Sequence, residues 1–237
     1  MNHLFYSDEC SSTNDEINRF LLYCEADFTA LYTFNQKNGR GQYGNIWKSL
    51  PNENIAYSVA VKKELISVPD LIFNYCTAII FRNCIANMTQ QKVSVKWPND
   101  LIISDKKIAG ILVEKKKMNG EWFFVVGIGL NVLQKDFTNF PQAGSLYTQT
   151  HEIFDLKTVV EKLHQDFISS VLNFKNEEEI LNLFNENLYR KNEISVFEIG
   201  GVRQNGIIRK ALPTGELLIE LEDGERKFYH KEIKLLY

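Results

Sequence analysis

The amino-acid sequence predicts an α+β fold, in which a mixed β-sheet flanked by helices is followed by a small C-terminal β-barrel of the SH3-like type. Four segments carry apolar residues at helical spacing, and others alternate or are continuously apolar, as strands are. The last part of the chain, about 45 residues, holds only short strand-like runs separated by turns. We therefore predict two domains, residues 1–188 and the barrel over residues 189–237.

Helices are predicted where apolar residues form one face. The first begins at Ser12, Thr13 and Asn14, which are common N-cap residues, and the second begins at Pro69. The predicted helices cover residues 14–25, 69–88, 155–173 and 177–188.

Strands are predicted where apolar residues alternate with polar ones or form short apolar runs. In the larger domain these are residues 30–34, 55–61, 93–95, 107–114 and 122–132. In the barrel they are residues 195–199, 206–209, 217–221 and 226–229. Asn119-Gly120 is predicted to form the hairpin turn, since Asn-Gly suits a tight two-residue loop. The apolar run 123–130 is typical of a central strand covered on both faces, and residues 136–151 are predicted to be a loop.

The composition is that of an ordinary globular protein, with 44% apolar and 24% charged residues and a net charge of −3. This charge gives no general attraction to nucleic acid or to anionic membranes, and no apolar run approaches the ~20 residues of a membrane span. The N-terminus has no signal-peptide pattern. We interpret the cysteines as buried, reduced thiols of a cytoplasmic protein, because they lack metal-ligand spacing. They are Cys10, Cys24, Cys76 and Cys84.

The glycine-rich segment over residues 36–47 is the strongest local signal. Its three glycines allow close approach of backbone N–H groups to an anion and left-handed dihedrals. Arg40 adds a fork of donors suited to carboxylate or phosphate, and Trp47 adds an apolar wall. The spacing is neither that of a P-loop nor that of a dinucleotide fingerprint. It predicts a loop that closes over an anionic small molecule, although such segments are also common as plain turns.

Two further segments have a structural and a functional interpretation. The Ser12-Thr13-Asn14 run caps a helix, or it presents hydroxyl and amide groups to a polar head group. Pro98 halts the strand that precedes it and exposes Asn99 and Asp100 at a strand end, where they form a turn or meet a ligand.

The predicted hairpin carries the fourth segment. Gly110, Gly127 and Gly129 lie inside strands, where glycine often marks the close approach of a ligand or of another backbone. Lys107 opens the first of these strands, and it is either a solvated strand end or a cation beside that ligand.

Together these segments resemble the biotin protein ligase family. The signatures of that family are S-T-N, G-R-G-R-x-G-x-x-W, K-W-P-N-D, K-[IL]-[AC]-G-[IL]-L-[VI]-E and G-I-G-x-N. All five have counterparts here in that order, the second with one departure. They correspond to residues 12–14, 39–47, 96–100, 107–114 and 127–131. The resemblance implies a class II synthetase-like catalytic domain, of the biotin and lipoate ligase type, with a C-terminal SH3-like barrel.

The implied reaction has two steps. The biotin carboxylate attacks the α-phosphate of ATP to give biotinyl-AMP and pyrophosphate, and a lysine of a biotin carboxyl carrier domain then takes the biotinyl group. Magnesium is expected with ATP, but its ligands are not identified. The resemblance leaves a homodimer open and implies no DNA partner, since the chain begins directly at the catalytic domain without a winged helix-turn-helix.

Site residues follow from motif matching. Biotin binding is implied for Ser12, Thr13, Asn14, Gln36, Gly39, Arg40, Gly41, Gln42, Trp47, Lys107, Gly110, Gly127 and Gly129. ATP binding is implied for Arg40, Lys96, Asn99, Lys107 and Asn131. Arg40 and Lys107 are the implied catalytic cations, and Asp100 is expected to orient or deprotonate the incoming lysine. Residues 143–146 are expected to cover adenine.

One departure from the family pattern is Gln42, which stands where the family has a second loop arginine, so one cationic contact to the adenylate is expected to be missing. Three other interpretations stay open: a lipoate ligase, a non-catalytic biotin sensor, and a C-terminal barrel that binds peptides independently. The basic run 115–117 is expected to be solvated, with steering of an acidic carrier as the alternative.

Overall fold

The computed structural model describes residues 3–21, 27–118 and 120–237. The elements before residue 132 are β1 (His3–Tyr6), α1 (Thr13–Leu21), β2 (Phe28–Thr33), β3 (Gly39–Arg40), β4 (Ile46–Trp47), β5 (Asn54–Lys62), α2 (Asp70–Thr89), β6 (Ser94–Lys96), β7 (Asp100–Ile103), β8 (Lys106–Met118) and β9 (Glu121–Asn131). They are followed by α3 (Leu146–Thr150), α4 (Leu156–Val171), α5 (Glu177–Glu186), β10 (Ile194–Ile199), β11 (Val202–Ala211), β12 (Leu217–Leu221), β13 (Gly224–Phe228) and β14 (Ile233–Leu236).

The main sheet is mixed, which confirms the predicted fold class. Its strand order is β1-β2-β5-β9-β8-β7-β6. β1 pairs in parallel with β2, whereas the other neighbours pair antiparallel. β9 lies in the middle of this order, and its residues 123–130 are buried apart from the half-buried Gly129. The apolar run therefore forms a central strand, as predicted.

Helices cover both faces of the main sheet. α2 packs on the sheet and on both α4 and α5, while α4 also contacts β2 and β5, so α2 is buried on more than the one side that its sequence predicts. Its Phe73 packs on Phe124 of β9, and its Phe81 stacks on Phe167 of α4. α1 covers the opposite face through Ile17. Within the described residues, no helix combines the length and apolar character needed to span a membrane.

The C-terminal strands form an antiparallel sheet of order β13-β12-β11-β10-β14. The predicted barrel is not closed, because no ladder joins β13 to β14 among the described residues. This sheet shares the main apolar core, since Tyr75 of α2 donates to the Leu212 carbonyl and Asn185 of α5 pairs with the Ala211 backbone. The domain division at residue 188 stays a prediction.

Several element predictions differ from the structure. The predicted loop 136–151 is wrong over its last part, because Ser145 caps the short helix α3 by accepting a hydrogen bond from the Thr148 N–H. The sequence pattern also missed β1, β7 and β14, which are only four residues long each. The first predicted helix is described only to Leu21. Residues 22–26, with Cys24, and Asn119 of the predicted turn lie outside the described residues.

The described cysteines are buried free thiols, as predicted for Cys10, Cys76 and Cys84. Burial raises the pKa of Cys10 and of Cys76 to about 12. Burial also raises the pKa of Cys84. Thiols with such high pKa values are poor nucleophiles, so they are structural side chains.

Candidate active site

A cleft of about 740 Å³ lies over β5, β8 and β9, between the start of α1 and the glycine-rich segment. It brings together most of the predicted site residues: Ser12, Thr13, Asn14, Gln36, Arg40, Gly41, Gln42, Trp47, Asn99, Asp100, Lys107, Gly110, Gly127 and Gly129. Asn131 lines an adjoining cleft instead. Gly39 is buried in β3. Lys96 lies beneath the Tyr237 ring, with its Nζ 4.8 Å from the ring centroid.

The floor of the cleft is a row of small residues across the sheet. Ala56 of β5, Gly129 of β9 and Gly110 of β8 are direct cross-strand partners. A Cβ added to Gly129 would lie 2.4 Å from Trp47 Cε2, and one on Gly110 would lie 3.2 Å from Trp47 Cζ3. The strand glycines therefore make room for the Trp47 indole, whose buried Nε1 has no hydrogen-bond partner among the described residues.

One end of the cleft is a buried network of hydroxyl and amide groups. Gln36 Oε1 accepts a hydrogen bond of 2.9 Å from the Thr13 N–H. Ser58 Oγ lies 2.7 Å from Thr13 Oγ1 and 2.5 Å from Asn14 Oδ1. Asn14 Nδ2 donates to Glu114 at 2.9 Å. Because these groups fix one another, their unused donors and acceptors have defined directions before any ligand arrives.

Ser58 is a site residue that sequence reasoning missed. Its side chain is fully buried on β5, directly opposite Gly127 of β9. A signal was present, since Ser58 is a small hydroxyl residue in the middle of the predicted apolar strand 55–61. A buried hydroxyl requires a partner, so its position indicated a polar contact across the sheet.

Arg40 is held by carboxylates at one side of the cleft. Its Nη2 donates to Asp15 at 2.6 Å and to Glu114 at 3.0 Å. Lys116 Nζ contacts the same two carboxylates at 3.2 Å and 3.1 Å. In the basic run 115–117, therefore, Lys116 is engaged in the site, and Lys115 pairs with Asp70 of α2. Lys115 and Lys117 are exposed, as expected of a solvated run, and steering of an acidic carrier stays the untested alternative.

Lys107 enters the cleft from the start of β8. Its Nζ lies 2.7 Å from Asp100 Oδ1 and 5.5 Å from the Trp47 ring centroid. Asp100 is the direct cross-strand partner of Gly110, so it continues the floor row. The ammonium thus points into the cleft beside one carboxylate.

The adjoining cleft, of about 1540 Å³, shares Trp47 and Lys107 with the first. Its edge is formed by residues 142–144, which pair with the Lys107 backbone: the Lys107 N–H donates to the Gln142 carbonyl at 2.8 Å, and the Gly144 N–H donates to the Lys107 carbonyl at 3.0 Å. The buried Asn131 donates to the Gly144 carbonyl at 2.9 Å. Asn131 is therefore placed to hold this segment.

Two predicted nucleotide-side residues, Asn99 and Lys96, are engaged by groups of the protein itself. Asn99 Nδ2 donates to the Ile111 carbonyl at 2.6 Å, which ties the turn between β6 and β7 to β8. Burial lowers the pKa of the Lys96 ammonium, although Asp100 opposes this effect. Lys107 and Lys234 lower it further, so three lysines share this region of positive potential.

The lid of the cleft is the glycine-rich segment, which we call the glycine loop (residues 39–47). Gly44 has a φ of 81° and Tyr43 a φ of 55°, so left-handed backbone occurs here as the glycines predicted. Gly41 does not use that freedom, because its φ of −110° is available to any residue. The Gly41 N–H donates to the Asn45 carbonyl at 2.7 Å, which closes the turn.

His230 is the second site residue that sequence reasoning missed. It follows β13 of the C-terminal sheet, yet it lines the cleft together with the glycine loop. No local pattern could identify it, because its position depends on how the second sheet packs against the first. The described residues contain no group of three or more His, Cys, Asp or Glu side chains that could hold a metal ion.

Comparison with known proteins gives one family match and several similar chains. The model of the family described as Biotin/lipoate A/B protein ligase family matches residues 10–131. The Bifunctional ligase/repressor BirA of Bacillus spizizenii is 28% identical over 182 residues, which cover 70% of this chain and 55% of that protein. The chain thus spans little more than half of the length of this relative.

A second relative and a solved structure agree with this match. The Biotin--[acetyl-CoA-carboxylase] ligase of Mycobacterium tuberculosis is 26% identical over 175 residues, which cover 71% of this chain and 64% of that protein. The solved biotin protein ligase of Aquifex aeolicus, in complex with biotin and ATP, superposes with a TM-score of 0.81 at 23% identity, over 100% of this chain and 99% of that one.

Proposed function

The chain belongs to the biotin/lipoate A/B protein ligase family, and from this premise we propose that it is an ATP-dependent biotin protein ligase. It forms biotinyl-5′-AMP and transfers biotin to a lysine of a biotin carboxyl carrier domain. One observation carries the proposal. A single cleft combines a pre-ordered polar end, a floor of strand glycines and an inward-pointing ammonium, Lys107. The names of the similar proteins, which are biotin ligases, support it.

The polar end receives the head of biotin in this proposal. A ureido group offers one carbonyl acceptor and two N–H donors, and the network of Thr13, Asn14, Ser58 and Gln36 offers both kinds of partner. The apolar part of the vitamin then lies against the Trp47 indole, which itself covers Gly129. The partnerless indole Nε1 of Trp47 is a donor that such a ligand can use.

Adenylation brings two anions together, so cations and orientation supply most of the catalysis. Lys107 stabilises the charge on the carboxylate and on the α-phosphate. Arg40 joins it by exchanging Asp15 and Glu114 for phosphate oxygens. The nucleotide occupies the adjoining cleft, where Asn131 holds the segment that we expect over adenine.

Transfer needs a neutral amine on the carrier lysine, whose unperturbed pKa of about 10.4 keeps it mostly charged. The amine attacks the acyl carbon, AMP leaves, and Asp100 orients the incoming ammonium or accepts its proton. Magnesium fits this site as part of MgATP, because Mg²⁺ commonly keeps several waters and binds through phosphates with one or two carboxylates.

The partner and location follow from the same proposal. The protein substrate is a carrier domain of a biotin-dependent carboxylase, and the reduced state of the described thiols supports a cytoplasmic location. A homodimer stays an open alternative.

The proposal is tested by exchange of labelled pyrophosphate into ATP, with biotin and lipoate offered separately. We expect exchange with biotin, followed by mass-spectrometric detection of one biotinyl group on a carrier domain. Exchange with lipoate but not with biotin would instead identify a lipoate ligase. Biotin binding without any exchange would identify a sensor and would contradict the proposal.

A further inference from the structure

The tip of the glycine loop, at Tyr43, contacts the C-terminal part of the chain. The ring of Tyr43 stacks on the imidazole of His230, with centroids 4.9 Å apart and planes inclined by 20°. Lys231 Nζ lies 5.0 Å from the Tyr43 ring centroid and donates to the Tyr43 carbonyl at 3.3 Å. His230 and Lys231, which lie between β13 and β14, therefore contact both the ring and the backbone of Tyr43.

His230 is itself fixed from behind. Its ring packs edge-on against Trp97, in the turn between β6 and β7, at a centroid distance of 5.8 Å. The turn that carries His230 is closed by reciprocal bonds, since the Tyr229 N–H donates to the Glu232 carboxylate at 2.7 Å and the Glu232 N–H donates to the Tyr229 carbonyl at 3.1 Å. These contacts fix the position of the imidazole against which Tyr43 stacks.

Among the described residues, Tyr43 makes its ring contacts with His230 and Lys231. Its side chain is 62% exposed, and its backbone has a left-handed φ of 55°, which is unfavourable for a residue with a side chain. A strained, exposed tip stays in place only when neighbouring groups hold it. The stack on His230 and the contacts of Lys231 are such groups.

We propose that His230 is a positioning residue, which holds the glycine loop closed over the cleft through Tyr43. The C-terminal sheet then contributes to the active site of the larger domain as a latch for its lid. In the ligand-free protein, this contact holds the loop in place whatever ligand the cleft binds. The consequence for ligand retention rests on the proposed function, because it requires biotinyl-AMP to be the occupant.

Amide hydrogen exchange of the full-length, ligand-free chain tests the latch. The probes are the Gly41 and Asn45 amides, which are hydrogen-bonded only while the loop turn is formed. His230→Ala should accelerate their exchange by about 3- to 10-fold, the factor expected for loss of one aromatic pair. Tyr43→Ala should do the same, and the double variant should add little, because both changes break one contact. His230→Phe should restore slow exchange.

Controls separate the latch from general destabilisation. Tyr229→Ala removes an exposed aromatic ring from the same turn and should leave loop exchange unchanged. The amides of the buried Ile208 and Ile219 in the C-terminal sheet should stay protected in every variant. Unchanged loop exchange in His230→Ala, or additive effects in the double variant, would overturn the proposal.

A second measurement links the latch to function. Release of preformed biotinyl-AMP from His230→Ala should accelerate by the same factor as loop exchange, and His230→Phe should again restore it. If the native protein binds no biotinyl-AMP, the proposed function fails while the exchange result still decides the latch. If release is unchanged although the loop exchanges faster, the link between latch and retention is wrong.

Discussion

The floor and the lid of the cleft are built in opposite ways. The floor side is largely buried, because Asn14, Ser58 and Gly127 are buried and Gly110 and Gly129 half-buried, and its polar groups are bonded to one another within the protein. The lid is the glycine loop, in which Tyr43 and Ile46 are exposed. Apart from Trp47, which packs on the floor glycines, it is held by the ion pairs of Arg40 and by the contacts of Tyr43 with His230 and Lys231. The two sides face each other across the same ligand space.

This difference indicates that the floor selects the ligand and that the lid opens and closes over it. Buried hydrogen-bonded groups are costly to displace, so the floor has one arrangement and can select a ligand by its shape and donors. Exposed ion pairs contribute little net stability, so the lid can open at small cost. We therefore expect substitutions in the floor to abolish binding or chemistry, and substitutions in the lid to change release rates.

The largest effect is expected for Lys107→Met, which keeps much of the side-chain volume but removes the charge. Biotin-dependent pyrophosphate exchange should fall by about 100-fold or more, as when one donor to a developing negative charge is lost. Lys106→Met is the matched control, because Lys106 is the neighbouring lysine on β8 and bonds to the Pro141 carbonyl outside the cleft. Equal exchange in the Lys107 variant and the control would remove Lys107 from its role.

The second effect concerns the shape of the floor. A Cβ on Gly127 would lie 2.2 Å from Asn14 Oδ1, which Ser58 holds in place. Gly127→Ala should therefore weaken biotin binding by about 10- to 100-fold, the usual range for overpacking a fixed site. Isothermal calorimetry measures the affinity, and circular dichroism confirms the fold.

Gly110→Ala sharpens this test on the same floor. Its added Cβ would meet the edge of Trp47 at 3.2 Å and the flexible end of Lys107 at 3.4 Å, so these groups can move aside. Its effect on affinity should be the smaller of the two. The reverse order would show that Trp47, and not Asn14, sets the fit of the ligand.

The sequence predicted the strands of the floor better than it predicted which side chains contact them. Patterns of period two and runs of apolar residues located β5, β8 and β9, because strand identity depends on local sequence. Glycines inside strands predicted close approach correctly, but the approaching groups are Trp47 and Asn14 of the protein itself. Identity of the neighbour depends on tertiary packing, which local patterns do not contain.

The lid shows the opposite limit. Its composition predicted left-handed backbone, yet Tyr43 takes such a conformation while Gly41 does not. His230 was missed because it reaches the loop only through the packing of two sheets. The short strands β1 and β14 were missed because four residues are too few to establish a period.

The third prediction sets the lid against the floor. Gly44 has a φ of 81° and open space around its added Cβ, so Gly44→Ala strains the backbone without a clash. The strain, roughly 1 kcal/mol, should accelerate biotinyl-AMP release by about 5-fold. Gly41→Ala should have the smaller effect, because its φ is −110° and its Cβ would keep ordinary contacts of 3.5 Å. Affinity for biotin alone should change little, whereas a large loss would mean that the lid takes part in recognition.

The smallest effect concerns pH and the underside of the floor. Tyr57 lies between Ala56 and Ser58 on β5, and its hydroxyl is 2.9 Å from Nδ1 of the buried His164 on α4. Burial lowers the pKa of His164, so the unfolded chain takes up a proton more readily than the folded protein. The free energy of unfolding should therefore fall as the pH drops below about 6.5, and be insensitive to this group above it.

Urea titrations at neutral and mildly acidic pH measure that slope, and His164→Gln isolates its source. Glutamine can still accept a hydrogen bond from the Tyr57 hydroxyl but does not titrate, so the slope should become shallower without disappearing. A remainder is expected because burial also lowers the pKa of His230. The two histidines belong to different parts of the cleft, since His164 contacts Tyr57 below the floor and His230 contacts Tyr43 of the lid. If His164→Gln leaves the slope unchanged, acid sensitivity resides elsewhere, and the floor is not the part of the molecule that mild acid weakens.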